Sequence, residues 1–257
     1  MATTSEHGAA ARCVLITGAS RGIGAATALL CAHAGWSVIV NYANDSAAAQ
    51  GVVQAIRAAG GQALALRADV ADAAQVSSMF QRIDAELPPL RGLVNNAGVI
   101  DAFIRVDRIE PERLQRMFAV NVFGSFYCAR EAVRRMSTAH GGAGGAIVNV
   151  SSAAARLGSP GQYVDYAAAK GAIDTFTNGL AKEVAAEGIR VNAVRPGIID
   201  TDIHASGGQP DRVRRLAPQL PMQRAGRADE VAQAVLWLLS DAASYTTGAI
   251  LDVAGGR

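Results

Sequence analysis

Apolar residues in this chain come in short runs separated by longer amphipathic or alanine-rich stretches. The runs at residues 12–16, 36–42, 63–68, 90–94, 146–150, 190–195 and 249–253 are short and rich in Val, Ile and Leu, the pattern of strands buried on both faces. Helical periodicity fills the gaps at 23–34, 45–59, Ala73–Glu86, 164–187 and 229–240. Another helix is predicted to start at Pro111 and run through Asn121 towards His140, although Gly124 and its β-branched neighbours weaken its middle. Gly35 and Gly60-Gly61 stop the first two helices, Asp72 is the expected N-cap of the third, and Pro88-Pro89 close it. The glycine-rich piece at 141–145 reads as a turn rather than a domain boundary.

Strands alternating with helices imply parallel strands joined by right-handed crossovers. The expected architecture is one doubly wound α/β domain over residues 12–257, with a parallel sheet of about seven strands. Its ligand belongs at the carboxyl ends of the strands, where the strand order switches. Residues 1–11 are small and polar, without the basic start and apolar core of a signal peptide, and are expected to form a mobile arm.

With 257 residues, half of them hydrophobic, the chain can bury a large core. The net charge of +2 and the lack of a long Lys/Arg run argue against nucleic acid. Arg212, Arg214 and Arg215 form the basic cluster, either a solvated helix face or an anion-binding lip on a substrate lid. Cys13, Cys31 and Cys128 lack paired spacing and read as buried thiols of a cytoplasmic protein. The four histidines are scattered, so no metal site is assigned. No apolar run is long enough to span a bilayer, and a soluble protein is expected.

The candidate chemistry lies on the strand exits. The first strand runs into Thr17-Gly18-Ala19-Ser20-Arg21-Gly22-Ile23-Gly24 and a helix follows. Glycines there permit a sharp turn, a backbone lying against a phosphate, and close helix–strand packing. A helix N-terminus with free N–H groups and the positive end of its dipole suits an anion. Further along, Tyr166 and Lys170 are four residues apart on one helix face, Ser151-Ser152 end the fifth strand, and Asn121 lies one loop earlier. An ammonium beside a phenol favours the phenolate, and a hydroxyl can hydrogen-bond a substrate oxygen. Each feature alone has a plain structural explanation; their joint order on one edge does not.

In these segments, with Asp69-Val70, Asn95-Asn96-Ala97-Gly98 and Pro196-Gly197 with Thr201, the chain resembles the short-chain dehydrogenase/reductase family from residue 12 to 257. The resemblance implies an NAD(P)-binding Rossmann fold. It also implies that Tyr166 donates a proton to a carbonyl oxygen as nicotinamide delivers hydride, with Ser152 polarising that oxygen. Lys170 would lower the Tyr166 pKa and bind the nicotinamide ribose, and Asn121 would hold a water. Gly18, Ser20, Arg21, Gly22, Ile23 and Gly24 would cradle the cofactor phosphates; Asn41 and Tyr42 would lie at its ribose end; Asp69 and Val70 would contact adenine. Asn95, Asn96, Ala97 and Gly98 would line the ribose, and Pro196, Gly197, Ile199 and Thr201 would clamp the nicotinamide. Ser152 precedes Tyr166 by 14 positions (166 − 152), one more than the family's commonest spacing, so this loop holds an extra residue.

Cofactor choice turns on the second strand's exit, Val40-Asn41-Tyr42-Ala43, which lacks the carboxylate that accepts from ribose hydroxyls and repels a 2′-phosphate. With Arg21 in reach, NADP(H) is preferred and NAD(H) remains an option; Asp45, slightly further on, complicates the choice. The expected reaction is hydride transfer between NADP(H) and a carbonyl or secondary alcohol, closest to NADPH ketoreductases of the 3-oxoacyl type. A sugar or polyol dehydrogenase and a catalytically silent NADP(H) sensor are the alternatives; a sugar-nucleotide epimerase would need a larger C-terminal lobe than the lid at about 200–226. Small and apolar loops after Gly98 and at 153–165 form the pocket, with Arg105, Arg156, His204 and the arginine cluster nearby. By family analogy the assembly is a homotetramer built on the helices at 112–139 and 164–187 and the last strand.

Overall fold

The computed structural model describes residues 12–257, and the arm expected at 1–11 lies outside them. The seven apolar runs become β1 (Cys13–Ile16), β2 (Ser37–Tyr42), β3 (Ala63–Arg67), β4 (Leu90–Asn95), β5 (Gly145–Val150), β6 (Ile189–Pro196) and β7 (Ile250–Val253). They pair in parallel in the order β3-β2-β1-β4-β5-β6-β7, the doubly wound sheet that the alternation predicts. The helices are α1 (Gly22–His33), α2 (Ser46–Ala58), α3 (Ala73–Glu86), α4 (Pro111–Phe118), α5 (Gly124–Met136), α6 (Ala154–Leu157), α7 (Val164–Val184), α8 (Ile203–Ser206), α9 (Arg212–Leu216) and α10 (Ala228–Leu239).

Neighbouring residues of a strand face opposite sides of a sheet, and here both sides are covered. Val14 and Ile16 pack in one layer with residues of α1, α2 and α10, whereas Cys13 and Leu15 pack in the other with α3, α5 and α7. That is why the strands read as continuous apolar runs. Fully burying a side chain such as Leu15 or Phe80 contributes about 1.5–3 kcal/mol, and both layers hold many such residues. Asp72 caps α3 as expected, accepting from the amides of Ala74 and Gln75 at 2.8 and 3.2 Å.

The long helix expected from Pro111 to about His140 is broken. A π-helical turn at Ala119–Phe123 separates α4 from α5, and α5 stops at Met136. Asn121 accounts for the interruption: its side-chain amide donates to the Met117 carbonyl at 2.9 Å, the oxygen that its own backbone amide would claim in a regular α-helix. At the far end, Ser137 turns the chain out of the helix by accepting from the amide of Ala139.

A buried polar chain fixes α7 against the sheet. Asn95 of β4 donates to Asn149 of β5, Asn149 donates to Thr177 of α7, both at 2.9 Å, and Thr177 donates to the Ile173 carbonyl. Polar groups placed among apolar neighbours are stable only when paired, so this chain sets the height of α7 on the sheet. Tyr166 and Lys170 ride on that helix.

Candidate active site

β1 lies between β2 and β4, so crossovers leave it in both directions and a crevice opens beyond its carboxyl end. A cleft of about 640 Å³ occupies the crevice, lined by the glycine turn and by the exits of β2, β3 and β4. A smaller cavity of about 110 Å³ adjoins it and shares Ile23, Asn96, Gly98, Ile100, Thr201 and Ile203 with it. Fold and cleft together define a nucleotide-binding α/β architecture of the Rossmann type.

The glycine turn is built for close approach. Gly18 has φ of 61°, and a Cβ there would lie 2.9 Å from the Cα of Ala97. A Cβ at Gly24 would lie 2.5 Å from Asn96 Nδ2 and 2.7 Å from the Gly18 carbonyl oxygen, so α1 could not seat against the turn. Thr17 and Asn96 staple the β4 exit to this turn. Thr17 Oγ1 accepts from the amides of Asn96 and Ala97, and Asn96 Nδ2 donates to the carbonyls of Thr17 and Gly18 at 2.8 and 3.0 Å. Whereas Asp45 and Asp72 cap α2 and α3, no side chain caps α1. Its first amides point their partial positive charge into the cleft beside Ser20, Arg21 and Gly22, an arrangement that fits a diphosphate.

Ser152, Tyr166 and Lys170 line the inner cavity together. Ser152 Oγ accepts from the Ala154 amide at 3.1 Å, and its hydroxyl draws the pKa of the Tyr166 phenol down. Ser151, by contrast, directs its hydroxyl to the Lys170 carbonyl at 3.2 Å, away from the phenol. Lys170 donates from Nζ to the Val150 carbonyl at 2.8 Å, and its ammonium lies 5.7 Å from the centre of the Tyr166 ring. Burial pushes the Tyr166 phenol up to about 12, opposed by the neighbouring Ser152 hydroxyl. Burial also brings Lys170 down to about 8, opposed by the charge of Asp174. Burial is thus the largest influence on the Tyr166 phenol, and the neighbour that draws it down is Ser152.

Most of the sequence-predicted positions line the two spaces. Gly18, Ser20, Arg21, Gly22, Ile23, Asn41, Tyr42, Asp69, Val70, Ala97, Asn96 and Gly98 line the cleft, and Pro196, Gly197, Ile199 and Thr201 line the inner cavity. Three do not. Gly24 serves packing, as above. Asn95 points from β4 into the core, where it joins Asn149, because it shares the face of Leu93. Asn121 is fully buried, its Oδ1 accepting from the Val99 amide and its Nδ2 donating to the carbonyls of Val99 and Met117. It touches the site through Gly98, where a Cβ would lie 2.8 Å from Asn121 Oδ1 and 3.5 Å from Lys170 Nζ.

Asn41 borders the cleft, but its side chain is engaged within the fold: Oδ1 accepts from the Gly18 amide, and Nδ2 donates to the carbonyls of Leu66 and Ala68. Arg105 and Arg156, expected near the pocket, line neither space. Arg105 pairs with Asp107 in the open, and Arg156 reaches Asp252 and the Arg257 carbonyl. Sequence reasoning missed Tyr163, whose ring stands edge-on to Tyr166 with centres 5.6 Å apart; an aromatic residue one helical turn before Tyr166 was the available signal. It also missed the positioning part of Thr17.

All three cysteines are buried thiols, pushed up to about 12 by burial. Among the described residues no three His, Cys, Asp or Glu side chains gather as metal ligands, and no helix is long and apolar enough to cross a membrane.

Residues 18–257 match the model of a family described as enoyl-(acyl carrier protein) reductase. An uncharacterized oxidoreductase, YgfF, of Escherichia coli is 59% identical over 95% of this chain and 98% of its own length. A 3-oxoacyl-[acyl-carrier-protein] reductase of Synechocystis is 39% identical over 96% of both chains. A solved short-chain dehydrogenase of Burkholderia cenocepacia in complex with NADP superposes with a TM-score of 0.87 at 32% identity, covering 95% of this chain and 97% of that one. The chain belongs to the short-chain dehydrogenase/reductase family of oxidoreductases.

Proposed function

We propose that this oxidoreductase interconverts a carbonyl compound and its secondary alcohol with NADP(H), using Tyr166 as the proton donor. One observation carries the reading: Ser152, Tyr166 and Lys170 converge on one small cavity that opens into the cleft over the glycine turn. When bound, the nicotinamide supplies or accepts hydride at the carbonyl carbon. Ser152 orients the substrate oxygen, and Tyr166 gives that oxygen its proton. A phenol held near 12 stays protonated at neutral pH, which suits the reductive direction. Lys170, the cation lining the inner cavity, favours the negative charge that develops on oxygen. Asn121 acts as a positioning residue by fixing the Val99 backbone next to Gly98.

For the cofactor, Gly18, Ser20, Gly22 and Ile23 would hold the diphosphate, Asp69 and Val70 the adenine, Asn96, Ala97 and Gly98 the ribose, and Pro196, Gly197, Ile199 and Thr201 the nicotinamide end. The preference for NADP(H) over NAD(H) rests on the β2 exit. Its nearest carboxylate, Asp45, accepts from the Ala48 amide at 2.9 Å as the cap of α2, and Arg21 is exposed at the cleft. The relative solved with NADP lends weight to the same choice. The Tyr166→Phe variant tests the whole reading. Carbonyl-dependent NADPH oxidation should fall by about 10²–10⁴-fold while NADPH still raises the melting temperature; undiminished turnover would sink it.

A further inference from the structure

One residue that the lid brings to the inner cavity carries a polar atom with no partner in the protein. His204 of α8 lines that cavity with Ser152, Tyr163 and Tyr166, and only 9% of it is exposed. Its Nε2 lies 3.0 Å from the Ile199 carbonyl oxygen, which can only accept, so Nε2 carries the proton and Nδ1 the lone pair. Nδ1 is buried and unpartnered. Burial and the charge of nearby Arg212 both push the imidazole below its ordinary pKa, which favours the neutral ring.

Arg212 keeps the lid in this position. It is buried, its guanidinium lies 5.1 and 5.3 Å from the ring centres of Phe103 and Tyr163, and Nη2 donates to Gln162 Oε1 at 2.9 Å. Of the basic cluster, it alone turns inward: Arg214 pairs with exposed Asp211, and Arg215 donates to Gln209. The acceptor at His204 is thus held by a latched lid rather than by a loose loop.

The remaining polar groups facing the cavity include the donors Ser152, Tyr166 and Lys170, which suit a carbonyl oxygen. A neutral Nδ1 is their opposite, since it repels a carbonyl oxygen and gains from a donor. An alkyl or acyl chain leaves it as unpaired as it already is, whereas a hydroxyl that reaches it supplies the missing hydrogen bond. We propose that His204 is a specificity-determining residue whose Nδ1 accepts a hydrogen bond from a hydroxyl group of the substrate. The pocket then selects hydroxyketones, and in the oxidative direction polyols, over plain ketones and acyl chains. This deepens, and rests on, the carbonyl-reductase reading given above.

The test uses matched pairs, butanone with acetoin and cyclohexanone with its hydroxy derivatives, with NADPH oxidation followed for the wild type, His204→Leu and His204→Gln. Thermal stabilisation by NADPH reports folding of each variant. The expected result is a wild-type preference of about tenfold or more in kcat/KM for a hydroxylated member. His204→Leu should lose that preference, and His204→Gln, whose Oε1 can accept, should keep most of it. Absence of a preference in the wild type overturns the proposal, as does a Leu variant that lowers both members of a pair by the same factor. Should a variant not fold, the wild-type preference and the remaining variant decide. Failure of every ketone to oxidise NADPH or NADH, or full activity in Tyr166→Phe, overturns the reductase reading itself and the proposal with it.

Discussion

Lys170 reaches across from α7 to donate to the Val150 carbonyl at the end of β5, 2.8 Å away. The bond holds an ammonium in a buried cavity, and burial lowers its pKa to about 8. If that charge supports the negative oxygen formed on reduction, kcat/KM for a carbonyl substrate should be flat below pH 8 and decline above it. The sign follows from losing a stabilising cation as pH rises through the folded pKa. Lys170→Met should be slower throughout and lack this limb. A wild-type profile that climbs through pH 8 would contradict the assigned part of Lys170.

Ser151 and Ser152 are adjacent, yet their hydroxyls go different ways. Ser152 lines the inner cavity with Tyr166 and draws its phenol pKa down, while Ser151 donates to the Lys170 carbonyl. Ser152→Ala should therefore cut turnover by roughly 10²-fold or more with NADPH binding intact. Ser151→Ala should chiefly cost about 1 kcal/mol of stability through a lost buried hydrogen bond. Steady-state kinetics beside thermal melts separate the two, and equal losses of turnover would mean that the wrong serine has been assigned.

At the far end of the cleft, Arg21 flanks the uncapped start of α1 and the β2 exit. A charge-assisted hydrogen bond to a 2′-phosphate would be absent with NADH. Arg21→Ala is expected to weaken NADPH by about tenfold or more and to leave NADH nearly unchanged, measured by titration calorimetry. Equal weakening of both cofactors would remove the argument for NADP(H).

The fold was legible because both faces of the sheet are covered, which makes each strand an unbroken apolar run between polar turns. Much of the lining of the candidate site was legible too, since its glycines and the Tyr166–Lys170 pair stand at fixed spacings on strand exits. The asparagines were harder. Asn41, Asn95 and Asn121 all lie close to the cleft in sequence, but their side chains turn inward to satisfy backbone or core groups. Strand alternation could have flagged both Asn95, two residues after core-facing Leu93, and Asn41, two residues after core-facing Ile39. The π turn follows from one side chain competing for one carbonyl, and helical periodicity carries no trace of that competition. His204 and Arg212 sit on helices of four and five residues in a glycine-rich lid, too short to leave a pattern.

Phe126 of α5 stacks on Phe176 of α7 with ring centres 3.8 Å apart, and 45% of Phe126 remains exposed. Phe123, at the end of the π turn, is 48% exposed, and Leu251 of the edge strand β7 is 38% exposed. Aromatic rings left in water on the outer side of two long helices cost free energy that a second copy would recover, and a symmetric pairing brings the same patch from both subunits. The homotetramer expected by family analogy would use these surfaces. Phe126→Glu places a charge on the exposed ring pair, where desolvating it on association costs more than the contact returns. Light scattering should report a tetramer for the wild type and a smaller species for the variant, with NADPH still raising the variant's melting temperature because the cleft lies on the strand exits, apart from this face. A wild type that stays monomeric over the accessible concentration range would remove the tetramer and leave the exposed rings unexplained.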